Sequence, residues 1–128
     1  MSLTNDFETS VLTWLLTASS PSPARPTAWY VGLFTAAPGE AGGGTEISGS
    51  GYTREAVTFT VSGNTASNDA AIEFPTASGS WGTVTHAAIF DASTSGNMIA
   101  YASLTASKII DTGDVLRIPT GDLDVTLD

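Results

Sequence analysis

The sequence contains no cysteine, so disulfides, thiolate metal sites and cysteine nucleophiles are excluded together. Stability has to come from packing or from a partner. Bases are scarce as well. Four Lys and Arg stand against thirteen Asp and Glu, a formal net charge of −9 that makes nucleic acid a poor partner. Long apolar runs are missing: Ala28 to Phe34 falls far short of a membrane span of roughly twenty residues. The opening Met1-Ser2-Leu3-Thr4-Asn5-Asp6 has no basic leader region, so a soluble product of a cytoplasm with no membrane partner is expected. There is no internal repeat of the kind that builds solenoids or long shafts.

What is present is enough for one folding unit. A chain of 128 residues, 41% of them apolar, can remove roughly two-thirds of its unfolded surface from water. Phe7, Val11, Trp14 and Leu15 recur at helical spacing with Leu12 widening the stripe, which predicts a helix from Asn5 to Thr17 opened by an Asn5/Glu8 capping box. The prolines at 21, 23 and 26 then make an extended connector. The chain therefore divides into a helix and proline-rich connector over residues 1–26 and a β domain over 27–128.

Beyond Pro26, short runs of β-branched and aromatic residues alternate with clusters of Gly, Ser, Thr, Asn and Asp, an all-β pattern. Ala28 to Thr35 is apolar on both faces and reads as central or interfacial. Tyr52 to Val61 alternates, with Val57, Phe59 and Val61 inward and Arg54, Thr58 and Thr60 outward. Ala70 to Phe74, Thr83 to Phe90, Met98 to Leu104, Lys108 to Ile110, Val115 to Ile118 and Leu123 to Leu127 complete about eight strands, and Thr83–Phe90 with Met98–Leu104 is the clearest hairpin. The expected architecture is a two-sheet β-sandwich or jelly roll with a short N-terminal helix. The Gly-rich stretch Ala36 to Gly51 reads as a long loop, too flexible to build a precise site, that either orders against a neighbouring subunit or stays a mobile surface loop.

No constellation in the sequence carries catalysis. Asp111-Thr112-Gly113 after Ile109 and Ile110 has the form of an aspartic-protease motif, but the 15 residues that follow are too few for a cleft and flap, and a turn is the simpler reading. Asp111, Asp114, Asp122, Asp124 and Asp128 match no calcium-loop spacing. His86, expected to share a strand face with Val84, Ala88 and Phe90, has no nucleophile elbow to serve and is read as a structural histidine capped by a hydrogen bond. Arg54 is expected to pair with a nearby acid or loop carbonyl. Glycines 42 to 44 lack the Gly-Lys-Ser/Thr of a phosphate loop, and Trp29, Tyr30, Tyr52, Trp81 and Tyr101 fall on different strands rather than on one sugar-binding platform. No enzymatic activity, metal or other cofactor is expected.

The order of residues is itself informative. Trp29-Tyr30-Val31-Gly32-Leu33-Phe34-Thr35, Glu46-Ile47-Ser48-Gly49, Gly51-Tyr52-Thr53-Arg54, Phe74-Pro75, Trp81-Gly82-Thr83-Val84-Thr85-His86 and the ending Leu116-Arg117-Ile118-Pro119 with Gly121-Asp122-Leu123 resemble a family of small tailed-bacteriophage virion proteins. Its members are commonly labelled tail fibre proteins and are similar to capsid decoration, or cement, subunits. The resemblance spans about Leu12 to Asp128 and brings no catalytic residues. It implies a virion component assembled in the bacterial host cytoplasm. The main reading is a decoration subunit that binds the major capsid protein; the alternative is a tail fibre or tail tip protein that touches host carbohydrate. Self-association as a trimer, or else a dimer, is expected on symmetry grounds. The candidate interface residues are Phe7, Val11, Trp14, Leu15, Trp29, Tyr30, Glu46, Tyr52, Arg54 and Trp81.

Overall fold

A computed structural model describes residues 1–127; Asp128, counted above among the C-terminal acids, lies outside them. The elements are β1 (Ser2–Leu3), α1 (Asn5–Leu16), β2 (Tyr30–Ala36), β3 (Thr45–Glu46), β4 (Glu55–Ala56), β5 (Phe59–Ser62), β6 (Thr65–Asn68), β7 (Ile72–Glu73), β8 (Gly82–Phe90), β9 (Met98–Ile110), β10 (Arg117–Ile118) and β11 (Asp124–Thr126). The structure is mostly β, with the one short helix at its start.

The backbone of the fold is a six-stranded antiparallel sheet in the order β1-β9-β8-β2-β3, with β4 also pairing β2. The doubly apolar run places β2 inside this sheet, between β8 on one side and the two short strands β3 and β4 on the other. One face carries Val31, Leu33, Val84, Ala87, Ile89 and Ala100 into the main core, where Ile72, Phe74, Trp81, Leu116 and Leu123 cover them from the rest of the chain. The opposite face carries a second, smaller cluster of Phe34, Ala88 and Phe90. Beside the main sheet lie a two-stranded sheet, β7 with β10, and a three-stranded sheet, β5 and β6 with β11. Buried Asn68 holds the last of these to the chain end: its Nδ2 donates to the carbonyls of Ala70 and Pro119, and its Oδ1 accepts from the Leu123 N–H.

Several expectations need correction. The capping box is replaced: Thr4 is the N-cap, and its hydroxyl donates to the Met98 carbonyl at 2.7 Å instead of capping the helix. The Asn5 N–H, one of the helix's orphan donors, finds the Glu40 carbonyl at 3.0 Å. The helix is thus fastened to the sheet by its first turn. The predicted strand Tyr52 to Val61 breaks at Val57, whose N–H donates to the Trp29 carbonyl while the chain leaves the main sheet. Val61 is exposed because β5 is the edge of the small sheet, and Arg54 lies largely covered rather than outward.

Met98–Leu104 and Lys108–Ile110 are one strand with an interruption. Val84 pairs with Lys108 and His86 with Ser103, so the register shifts between them. That irregularity at Thr85 puts Val84 in the main core and His86 on the side of Ala88 and Phe90, not on a common face.

The stretch 36–51 is structured against its own chain. The Gly39 and Gly42 backbones bond reciprocally at 2.8 and 2.9 Å, β3 pairs with β2, and Ile47 is buried with its N–H on the Leu33 carbonyl. Gly44 adopts φ +77°, and a side chain there would stand 2.7 Å from the Ala36 carbonyl oxygen, so this turn requires glycine. Thr65–Asn68, expected as loop, is a strand because Gly63 and Asn64 make a two-residue hairpin turn between Ser62 and Thr65.

Candidate functional site

Three candidate sites follow from where this fold leaves charge, apolar surface and space. The first is built on the second face of the main sheet. Glu46 on β3 stands opposite Phe34 and reaches across Gly32, whose missing side chain makes the space: a Cβ there would lie 2.8 Å from Glu46 Oε2 and 3.0 Å from the Phe90 ring. Arg54 meets this carboxylate with both arms, Nε to Oε2 and Nη2 to Oε1, each at 2.8 Å. Its Nη1 donates to the carbonyls of Ala92 and Ser95 in the β8–β9 turn. Its guanidinium carbon sits 3.5 Å from the centre of the Phe90 ring. The expected pairing of Arg54 with an acid or a loop carbonyl is realised as both.

Tyr52 completes the network. Its hydroxyl donates to Glu46 Oε2 at 2.7 Å and accepts the Leu33 N–H at 2.9 Å, while its ring packs on Phe74 and edge-on to Trp81. Burial, reinforced by the Glu46 carboxylate, pushes the Tyr52 phenol far above the ordinary tyrosine range. Above this network lies an open cleft of about 350 Å³ whose walls include Asp6, Glu40 and glycines 42–44. The Arg54 guanidinium and the Glu46 carboxylate on its floor are spent on each other and on loop carbonyls. The arrangement therefore locks three segments together.

The second candidate is the helix. Phe7 and Ser10 are its buried residues, and the Ser10 hydroxyl donates to the Pro23 carbonyl, so the connector folds back along the helix. Phe7, Val11 and Trp14 form a small apolar groove with Pro21 and Pro26, and Arg25 lies at its side. Much of the predicted stripe is uncovered, with Leu12 at 58% and Trp14 and Leu15 each at 63% exposed, and the neighbouring Leu16 is 72% exposed. Apolar patches of this kind are a common feature of interaction surfaces in soluble proteins.

The third is a trough of about 670 Å³ between β9 and the C-terminal segment. Ala87, Leu116 and Leu123 belong to its floor, and Lys108, Arg117 and Met1 are among its other lining residues, together with Asp122 and Asp124. Sequence reasoning did not single out this surface. The available signal was the shortage of bases, since Lys108 and Arg117 are two of only four.

Of the remaining candidates, Trp81 is buried and donates its Nε1–H to the Ser50 carbonyl, Trp29 packs against the main core, and Tyr30 is half-buried opposite Phe90. They are not brought together. The structure assembles Glu46, Tyr52 and Arg54 into one network and Phe7, Val11 and Trp14 into one groove; Leu15 stands outside on the helix. Gly32 and Phe90, which the network needs, were not among the site candidates because their role is to leave and fill space. Asp111-Thr112-Gly113 is a turn, in which the Gly113 N–H donates to the Ala77 carbonyl and the Asp111 N–H to Asp114 Oδ2. His86 Nδ1 lies 2.8 Å from the Thr85 hydroxyl, the hydrogen bond expected of a structural histidine. Among the described residues no three His, Asp or Glu side chains gather into a metal-holding group, and no helix is long and apolar enough to cross a membrane.

Against known families, residues 2–126 match the model described as podophage GP4 fiber I protein gp80 (Gp80). No curated protein matches the chain.

Proposed function

The chain belongs to the Gp80 family of podophage GP4 fiber I proteins, a family of virion structural proteins, and from that premise we propose that it is a component of a fibre on the tailed-phage particle. The match over residues 2–126 is the observation that carries this reading, because it spans the helix and all three sheets rather than one motif. The family's description names a fibre, so the tail fibre reading takes precedence over decoration of the capsid shell. The geometry supports a structural rather than a catalytic role: the Glu46–Arg54 network is internally satisfied, while Leu12, Trp14, Leu15 and Leu16 stand exposed together on a helix tied to the sheet through its first turn.

In this role the β domain is the rigid body and the helix and trough are its contacts with other virion proteins. Many modest contacts repeated on one particle hold through effective concentration. Immunogold electron microscopy of the phage that encodes the chain, with antibody raised against it, should place label on fibres. Label distributed over the icosahedral shell would overturn the fibre assignment in favour of decoration.

A further inference from the structure

The exposed stripe of the helix and the trough are both unpartnered, and their chemistries are complementary. Glu8, Leu12 and Leu15 lie four and three residues apart, so they stack along one line of α1, and Leu16 widens it. The first turn is acidic, with Asp6 and Glu8, and the last turn carries no base. The stripe is thus an apolar ridge with a negative head.

The trough has the opposite character. Its lining includes the buried Ala87, Leu116 and Leu123 and the half-buried Leu104 and Ile118, and Lys108 and Arg117 stand exposed along it. Neither Lys108 nor Arg117 forms a salt bridge among the described residues, whereas the charge of Arg54 is matched by Glu46. Of the two carboxylates in the trough, that of Asp124 accepts the Ser67 hydroxyl, and Asp122 is exposed. On a chain of net charge −9, a groove in which Lys108 and Arg117, two of the four bases, offset Asp122 and Asp124 is a place where a further acidic element is less repelled.

We infer that the occupant of the trough is a second copy of this chain: the α1 ridge of one copy seats in the trough of the next, with Leu12 and Leu15 against the half-buried Leu104 and Ile118 and Glu8 directed at Lys108 and Arg117. Two bases without a salt bridge among the described residues, an acidic helix head to face them, and partly exposed apolar side chains on both sides carry the assignment. Ridge and trough are different patches, so the contact is heterologous and joins copies head to tail, in a ring or an open filament. The inference deepens the fibre reading by naming the partner, and it is tested on the purified chain alone.

Two variants break the contact from opposite sides: Leu12→Glu with Leu15→Glu on the ridge, and Lys108→Glu with Arg117→Glu along the trough. All four positions are exposed, so circular dichroism should find both variants folded. In sedimentation velocity over a concentration series the wild-type chain should self-associate, and each variant should lose that association. Mixed, the two variants should form a 1:1 complex, because one supplies an intact trough and the other an intact ridge. A monomeric wild-type chain, variants that associate like wild type, or a mixture that stays monomeric would each overturn the contact. None of these bears on the fibre assignment, which the labelling of particles decides. Should a charge variant fail to fold, the cysteine-free chain offers a second test. Copies carrying Leu15→Cys and copies carrying Ala106→Cys should cross-link to each other on oxidation, and a mixture without that cross-link overturns the inference.

Discussion

Replacing Arg54 with methionine keeps most of the side-chain stem and removes the guanidinium. The structure indicates what is lost: two charge-assisted bonds to Glu46, two donors to the β8–β9 turn and the cation over Phe90. The Arg54 side chain is 8% exposed and that of Glu46 24%, so the surviving carboxylate is left largely covered without its counter-ion. Removing one partner of a buried pair costs about 3–5 kcal/mol. Glu46 keeps the Tyr52 hydroxyl as a donor and some contact with water, which places the expected loss near the lower bound, about 3 kcal/mol. For a chain of this size that corresponds to a fall in Tm of about 12 °C. Urea denaturation followed by tryptophan fluorescence gives the loss directly. The double variant Arg54→Met/Glu46→Gln should cost clearly less than the sum of the single changes, since it leaves no unpaired charge. A loss below about 1 kcal/mol, as for an exposed ion pair, with additive single effects would refute the account.

Gly32→Ala tests the space beneath the same carboxylate. With a Cβ 2.8 Å from Glu46 Oε2 and 3.0 Å from the Phe90 ring, it should destabilise by about 2 kcal/mol in the same denaturation assay, and a neutral result would show that Glu46 is free to move aside. Tyr52 gives a pH dependence. Its phenol is held protonated in the fold, above the ordinary value of 10.0, so its contribution to stability is fully present below that pH. That contribution is lost as the pH climbs and the unfolded state alone releases the proton. In an alkaline titration of phenolate absorbance, the difference between wild type and Tyr52→Phe should appear only together with unfolding. A Tyr52 phenolate near pH 10 in a folded chain would contradict the network.

Much of this arrangement was legible in the residues. The doubly apolar run foretold β2, the Gly-containing segment Asp91–Asn97 foretold the β8–β9 hairpin, and the acids and glycine of Asp111–Asp114 foretold a turn. The helix was legible from its period, although its cap was not: Thr4 spends its hydroxyl on Met98, a partner 94 residues away that no local pattern announces. The small sheets were harder. β6 is Thr-Ala-Ser-Asn, poor in β-branched and aromatic residues, and is held by its neighbours and by Asn68 rather than by propensity. The loop Ala36–Gly51 misled because its glycines were taken for flexibility, when at Gly44 the backbone needs glycine to fold tightly. For the sites, Arg54 was predicted to find an acid or a loop carbonyl, but nothing local says that the carboxylate reaches it across Gly32. The trough joins residues from β8, β9 and the C-terminal segment, and such a surface exists only once the chain has folded.

The shifted register of β9 against β8 has a consequence for how this chain tolerates change. Between the Val84–Lys108 and His86–Ser103 pairs one strand advances two residues and the other five, so three residues of β9 are surplus to the ladder. The two halves of the hairpin are thereby uncoupled, much as a slack link lets two gears turn without stripping. Lengthening or shortening Leu104–Ser107 can be absorbed in place, with the turn-proximal half still presenting Phe90 to Arg54 and the distal half still burying Ile110. Since Leu104, Thr105 and Ala106 also border the trough, that slack sits where the molecule's contacts can diverge without disturbing what holds it together.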